Sequence, residues 1–302
     1  MTGTAQLLTL RDGRELEILT MGDPNGPTVV FQHGTPGSIY MLAGHAAAML
    51  DRGFFFVLTS RAGYGLSSRN AGRHVASVVS DINEVLDQLG RGDYVTLGWS
   101  GGGPHALACA ALDAPRCRGA ISVAGVAPVS EGFDWTDGMS EENKREFADF
   151  VAGGEAFERS IIEGYEQLKD TTPENCLDVW GPWLSAVDAA SLSTPELIAD
   201  FARGTSHAFV NGYWGYYDDN VGTFGDWGFD PTAITVPVGV WYGDDDLMVP
   251  VQHGNQLVAV IPTAVAHHYP TEGHLSIFSE HRAGIADEIA AFFTAHGGTV
   301  EN

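Results

Sequence analysis

Lysine is nearly missing from this chain: Lys144 and Lys169 are the only two among 302 residues. Lys and Arg together number 15 against 39 Asp and Glu, a formal net charge of -24. A field of that sign repels nucleic acid and anionic membrane surfaces, so neither is expected as a partner. Cysteine is scarce as well. Cys109, Cys117 and Cys176 have no metal-ligand spacing, and their odd number predicts buried, reduced thiols in a cytoplasmic protein. No apolar run approaches membrane-spanning length, and residues 1–6 have neither the basic nor the apolar region of a secretory signal. Repeats and low-complexity segments are also lacking. These absences argue against a nucleic-acid binder, a membrane span, a disulfide scaffold and a metal cluster. They leave the oligomeric state (monomer or homodimer) open.

What remains is a globular composition, 44% hydrophobic and 18% charged, in a chain long enough for one large core with an insertion. Residues 6–10 and 14–20 alternate around Asp12-Gly13, a hairpin signal. Short apolar runs follow at 28–31, 54–58, 94–97, 119–124, 236–242 and 264–269. Helical periodicity separates them, as in Val75, Val78, Val79, Ile82, Val85, Leu86 and Leu89. Buried strands alternating with helices predict a mostly parallel sheet covered on both faces.

Between residues 127 and 230 the rhythm breaks, and only helices are expected. Ser140-Glu141-Glu142, Thr172-Pro173-Glu174 and Thr194-Pro195-Glu196 open them, each with a capping hydroxyl and an acid in the first turn. Five of the seven tryptophans, Trp135, Trp180, Trp183, Trp214 and Trp227, fall in this stretch, so it reads as a lid with an aromatic interior. Residues 212–219 lack a helical stripe and are expected to form a flexible flap. A closing helix is expected over 281–296.

The chemistry centres on Gly98-Trp99-Ser100-Gly101-Gly102, set between a β-prone run and an Ala-rich helical one. A strand-to-helix turn holds such a serine at a strained apex, where a Cβ at Gly98 or Gly102 would clash. A serine hydroxyl is a poor nucleophile until a base takes its proton, and the base needs an orienting acid. Two loops supply candidates: Gly243-Asp244-Asp245-Asp246 and Gly273-His274. Both follow predicted strands, so both lie at carboxyl ends of a parallel sheet, where such sheets bind ligands.

The elbow, the acid loop, the Gly-His loop and the loop His33-Gly34-Thr35-Pro36-Gly37, in the order Ser, Asp, His, resemble the α/β-hydrolase superfamily and its capped serine hydrolases. That resemblance implies an α/β-hydrolase fold, a mostly parallel sheet with an all-helical cap. The core would comprise 1–126 and 231–302, the cap 127–230. It selects Asp246, third after Gly243, over Asp244 and Asp245. It also implies an oxyanion hole from the N–H groups of Thr35 and Gly101, with Ser100, Asp246 and His274 catalytic.

His33 is read as a brace of the oxyanion loop, with a substrate contact as its other role, and His105 as a packing residue. Trp99, Trp135, Trp183, Trp214 and Tyr217 are the further candidate substrate contacts. Arg61 and Arg203 are candidate receivers of an anionic substrate. No cofactor or metal is expected. The leading expectation is hydrolysis of a carboxylic ester or lactone with a small-to-medium apolar part.

Two alternatives stand beside it. The loop at 33–37 resembles the His-Gly-Gly-Pro-Gly of proline iminopeptidases, although their elbow, Gly-Gly-Ser-Trp-Gly, differs from this one. Such an enzyme needs cap carboxylates to grip an ammonium, with Glu141, Glu142, Glu155, Glu158 and Glu163 as candidates. A ligand receptor that keeps the fold without turnover is the other.

Overall fold

The computed structural model describes residues 3–295, so the end of the predicted closing helix at His296 lies outside the described residues. Eight strands build one sheet: β1 (Thr4–Thr9), β2 (Glu15–Gly22), β3 (Thr28–Gln32), β4 (Phe55–Ser60), β5 (Tyr94–Trp99), β6 (Cys117–Val123), β7 (Val238–Gly243) and β8 (Ala264–Tyr269). Their order is β1-β2-β4-β3-β5-β6-β7-β8. β1 pairs with β2, and β2 with β4, antiparallel; the remaining pairings are parallel. The hairpin expected at Asp12-Gly13 closes with Gly13 at φ 86°, backbone that a side chain would strain.

Twelve α-helices accompany the sheet among the described residues: α1 (Ala43–Ala47), α2 (Val78–Gln88), α3 (Gly102–Leu112), α4 (Glu141–Ala152), α5 (Gly154–Leu168), α6 (Cys176–Trp180), α7 (Ala186–Ser191), α8 (Pro195–Ala208), α9 (Trp214–Phe224), α10 (Val251–Val260), α11 (Ser276–Glu280) and α12 (Arg282–Thr294). None is long and apolar enough to cross a membrane.

β3, β5 and β7 are buried at every position, as their unbroken apolar runs require. Successive strand residues feed opposite faces. Val30 packs with Val79, Ile82 and Leu107, whereas Val29 and Phe31 pack with Leu97, Ile121 and Ile289 of the other core. This second core continues into Phe157, Trp180 and Phe201 of the segment between β6 and β7, which anchors that segment to the sheet.

Between β6 and β7 the chain forms α4 to α9 and no strand. Ser140 and Thr194 cap α4 and α8 as expected, accepting the N–H groups of Asn143 and Leu197. Thr172-Pro173-Glu174 instead forms a turn, and α6 begins at Cys176. The expected flap at 212–219 is also corrected, because most of it belongs to α9. Its inward face is polar, with Asp218, Asp219 and Asn220 buried, so an apolar stripe could not reveal it.

Candidate active site

At the end of β5 the chain turns sharply into α3, with Ser100 at φ 56°. Non-glycine backbone in this region costs about 1–3 kcal/mol and persists only where the surroundings enforce it. Here the glycines enforce it. A Cβ on Gly98 would lie 2.2 Å from the Gly102 carbonyl oxygen, and one on Gly102 would lie 2.1 Å from that of Gln32. The Ser100 N–H donates to the Val123 carbonyl at 2.9 Å, tying the apex to β6.

The loops after β7 and β8 bring Asp246 and His274 together. His274 Nδ1 lies 2.8 Å from Asp246 Oδ2, and Asp246 Oδ1 accepts the N–H groups of Met248 and Val249 at 2.8 Å each. Both side chains are buried. Burial alone would lower the His274 pKa. The Asp246 carboxylate outweighs it, Asp188 adds to it, and the imidazole titrates above its ordinary value.

An acceptor at Nδ1 calls for Nδ1–H, which leaves the lone pair on Nε2. Nε2 is shielded from solvent and has no hydrogen-bond partner among the described residues. The ring leans on Trp99 with centroids 5.0 Å apart, and Trp99 Nε1 donates to the His274 carbonyl at 2.9 Å. Trp99 therefore fixes the His274 loop beside its own neighbour, Ser100. Asp244 and Asp245 are exposed; Asp244 pairs with His268 at 2.6 Å instead.

The loop at 33–37 meets the elbow from the other side. A Cβ on Gly101 would lie 3.2 Å from the Thr35 nitrogen, so the two backbones pass close together beside Ser100, and neither N–H is used in a hydrogen bond among the described residues. Arg61 holds this loop by donating to the carbonyls of His33 and Gly34 and to Thr35 Oγ1. Thr35 Oγ1 in turn donates to Asp219 Oδ2 at 2.8 Å. His33 uses both ring nitrogens inside the loop, one toward the Gly34 carbonyl and one accepting the Arg61 N–H. Burial and Arg61 hold its pKa well below the usual value, so it is a neutral brace. His105 donates to the Gly101 carbonyl at 2.8 Å.

Asp219, fully buried in α9, takes both Arg61 and Arg73. Burial would raise its carboxyl, but the two guanidiniums hold it far below the carboxylate range. Asp219→Ala strands two buried cations and is expected to cost about 3–5 kcal/mol in urea unfolding at neutral pH. Because the folded pKa is depressed, this contribution is present above the ordinary carboxylate range and lost as pH falls through the folded value. The gap between wild type and variant should therefore narrow in acid. Arg61 is spent in this ion pair, and Arg203 packs over the Tyr40 ring at 3.4 Å.

A cavity of about 100 Å³ adjoins Ser100 and is lined by Thr35, Trp135, Asn143, Glu146, Tyr216 and Met248, among others. A second of about 100 Å³ shares all of these but Trp135 and runs to Trp180 and Trp183. An outer groove of about 340 Å³ at Gln167, Pro182 and Trp183 continues the path to the surface. Of the aromatic residues singled out in the sequence, Trp135 and Trp183 line these spaces. Trp99 packs against the His274 ring and lines none of these three spaces. Trp214 lies under the Arg69 guanidinium at 3.6 Å, and Tyr217 packs on Phe157; neither lines these three spaces.

Glu146 went unrecognised in the sequence. It is partly buried, burial pushes its carboxyl up to about 7, and Tyr216 Oη donates to it at 2.6 Å. Of the carboxylates expected from the sequence, only Glu142 lines any of these spaces. The signal was available: Asn143, Glu146, Phe147 and Phe150 share one stripe of α4. Among the described residues no group of three His, Cys, Asp or Glu side chains could hold a metal ion.

Such a sheet, with a serine at its strand-to-helix apex and a cavity over it, defines the hydrolase class built on this framework. A family model described as the alpha/beta hydrolase fold matches residues 27–281, and the chain belongs to that family. It is 26% identical over 268 residues to a proline iminopeptidase of Neisseria gonorrhoeae, covering 80% of this chain and 81% of that one. It is 25% identical over 275 residues to a non-heme haloperoxidase of Rhodococcus erythropolis, covering 88% and 92%. The enol-lactonase of Burkholderia xenovorans LB400 superposes with a TM-score of 0.66 at 19% identity, over 96% of this chain and all of that one.

Proposed function

We propose that this hydrolase cleaves neutral carboxylic esters or lactones through an acyl-enzyme formed on Ser100. The observation that carries the reading is His274, buried, paired with Asp246 and wedged against Trp99, with Nε2 unpartnered. The hydrogen bond from a nucleophile to its base is often formed or tightened only when substrate binds, which accords with an unpartnered Nε2 before binding. His274 Nε2 takes the Ser100 proton as Oγ attacks the acyl carbon. The developing oxyanion is received by the N–H groups of Thr35 and Gly101. The imidazolium, stabilised by Asp246, then protonates the leaving oxygen, and water repeats the sequence to release the acid.

The helices between β6 and β7 act as a cap that narrows the approach to Ser100. Val126, Trp135, Met139 and Phe224 give the inner cavity an apolar side for a small-to-medium group. Three free, buried cysteines support a cytoplasmic setting.

A second reading has one observation in its favour. Glu146 puts a carboxyl on the wall of the cavity that Ser100 also lines, where an aminopeptidase would need one for a substrate ammonium, and the Neisseria relative is named a proline iminopeptidase. One comparison separates the two: kcat/KM for a neutral aryl ester, its carboxylate-bearing analogue, a lactone and prolyl-p-nitroanilide, at low and high salt. The neutral ester or lactone should lead. With a net charge of -24, the carboxylate analogue should trail by about tenfold at low salt, and salt should narrow the gap. A lead by the anilide that is lost in Glu146→Gln transfers the assignment to the aminopeptidase.

A further inference from the structure

His274 is held from three directions, and one of them does not belong to the sheet. Asp246, after β7, holds the ring; Trp99, ending β5, holds the carbonyl; Asp188, in α7 of the inserted helices, holds the backbone N–H. Asp188 is completely buried. Its Oδ2 accepts from the His274 N–H at 3.0 Å and from Ser185 Oγ at 2.9 Å. Its Oδ1 accepts from Leu275 at 2.7 Å and from Ser276 at 3.0 Å. Four donors converge on one carboxyl, and no Lys or Arg pairs with it among the described residues. A polar side chain with no solvent and no counter-charge is retained only where its hydrogen bonds hold something in place.

The fit is close from both sides. A Cβ on Gly273 would come 2.5 Å from Asp188 Oδ2, so the loop can approach the carboxyl only because residue 273 lacks one. Ser276 Oγ accepts the Gly273 N–H at 2.7 Å and completes the turn around His274. The charged groups that bear on the imidazole are Asp246 and Asp188. The first touches the ring; the second acts through the backbone and through space.

We propose that Asp188 is a positioning residue, by which the inserted helices lock the His274 loop and add a second negative charge behind the imidazolium formed during acyl transfer. This rests on the reading of His274 as the general base. It makes docking of α7 a condition of base alignment, so the inserted helices do more than cover the cavity.

The test is Asp188→Asn in the full chain, assayed with a neutral aryl ester and with active sites counted by fluorophosphonate titration. The isosteric amide turns one acceptor into a donor facing an N–H. Expected is a loss of about 10- to 100-fold in kcat per titrated site, the scale of a small misplacement of a reacting group, with KM within about threefold. The pKa governing kcat/KM should fall, because a negative charge that favours the imidazolium is gone. Wild-type kcat per site with an unmoved pKa, even with a lowered Tm, overturns the proposal and leaves Asp188 a purely structural residue.

Should the amide variant fail to fold, Gly273→Ala displaces the same contact without removing the charge. A similar loss of kcat supports the proposal, and wild-type kcat overturns it. Ser100→Ala and His274→Ala in the same assay keep the two readings apart. If either retains full activity, the acyl-enzyme reading fails; if both are dead while Asp188→Asn is normal, only this inference does.

Discussion

Ser100→Ala is expected to leave the fold intact and lower ester hydrolysis by about 10⁶-fold, the scale of removing a serine nucleophile from a working triad. The hydroxyl makes no hydrogen bond among the described residues, and alanine bears the same positive φ, so unfolding stability should change by less than about 1 kcal/mol. The oxyanion donors and the cavity remain, so a small residue of activity over water should persist. Covalent labelling by a fluorophosphonate should vanish with it. Labelling that survives and maps to another serine removes the assignment of the nucleophile.

The elbow was legible because its constraints are local. Two glycines, a β-prone run and an Ala-rich run dictate a strand-to-helix turn, and the clashes at Gly98 and Gly102 are those such a turn imposes. The parallel strands were legible for a related reason: burial on both faces leaves an unbroken apolar run at each. The choice among Asp244, Asp245 and Asp246 needed the family pattern, since three adjacent carboxyls differ only in where the turn aims them.

What escaped was polar and non-local. Asp188 looks like an ordinary exposed acid of a short helix until the His274 loop, 86 residues later, closes over it. Asp219 makes the same point within α9. Its buried partners Arg61 and Arg73 sit in the loops after β4, and hydrophobic periodicity has no means of representing a helix whose inward face is ionic. The aromatic surplus of the insertion was visible, but its allocation was not. Trp135 and Trp183 line the route to Ser100, whereas Trp214 serves as a platform for Arg69.

Asp246→Asn is expected to lower kcat by about 10⁴-fold while KM moves little, and the reason lies in the other oxygen of the side chain. Asp246 Oδ1 accepts two backbone N–H groups, from Met248 and Val249, each at 2.8 Å. An asparagine must keep its carbonyl oxygen there, because its NH₂ would otherwise face two donors in a buried site. The NH₂ is therefore turned toward His274 Nδ1, which must accept, and the imidazole proton moves to Nε2. His274 then carries a proton where it should take one, and Ser100 loses its base. Asp244→Asn and Asp245→Asn, both at exposed positions, should stay within about twofold of wild type, even though the first loses its pair with His268. Steady-state kinetics on the three variants, with folding checked by circular dichroism, decide the matter. A severe loss at residue 245 with a mild one at 246 would mean that the acid has been assigned to the wrong carboxyl of the loop.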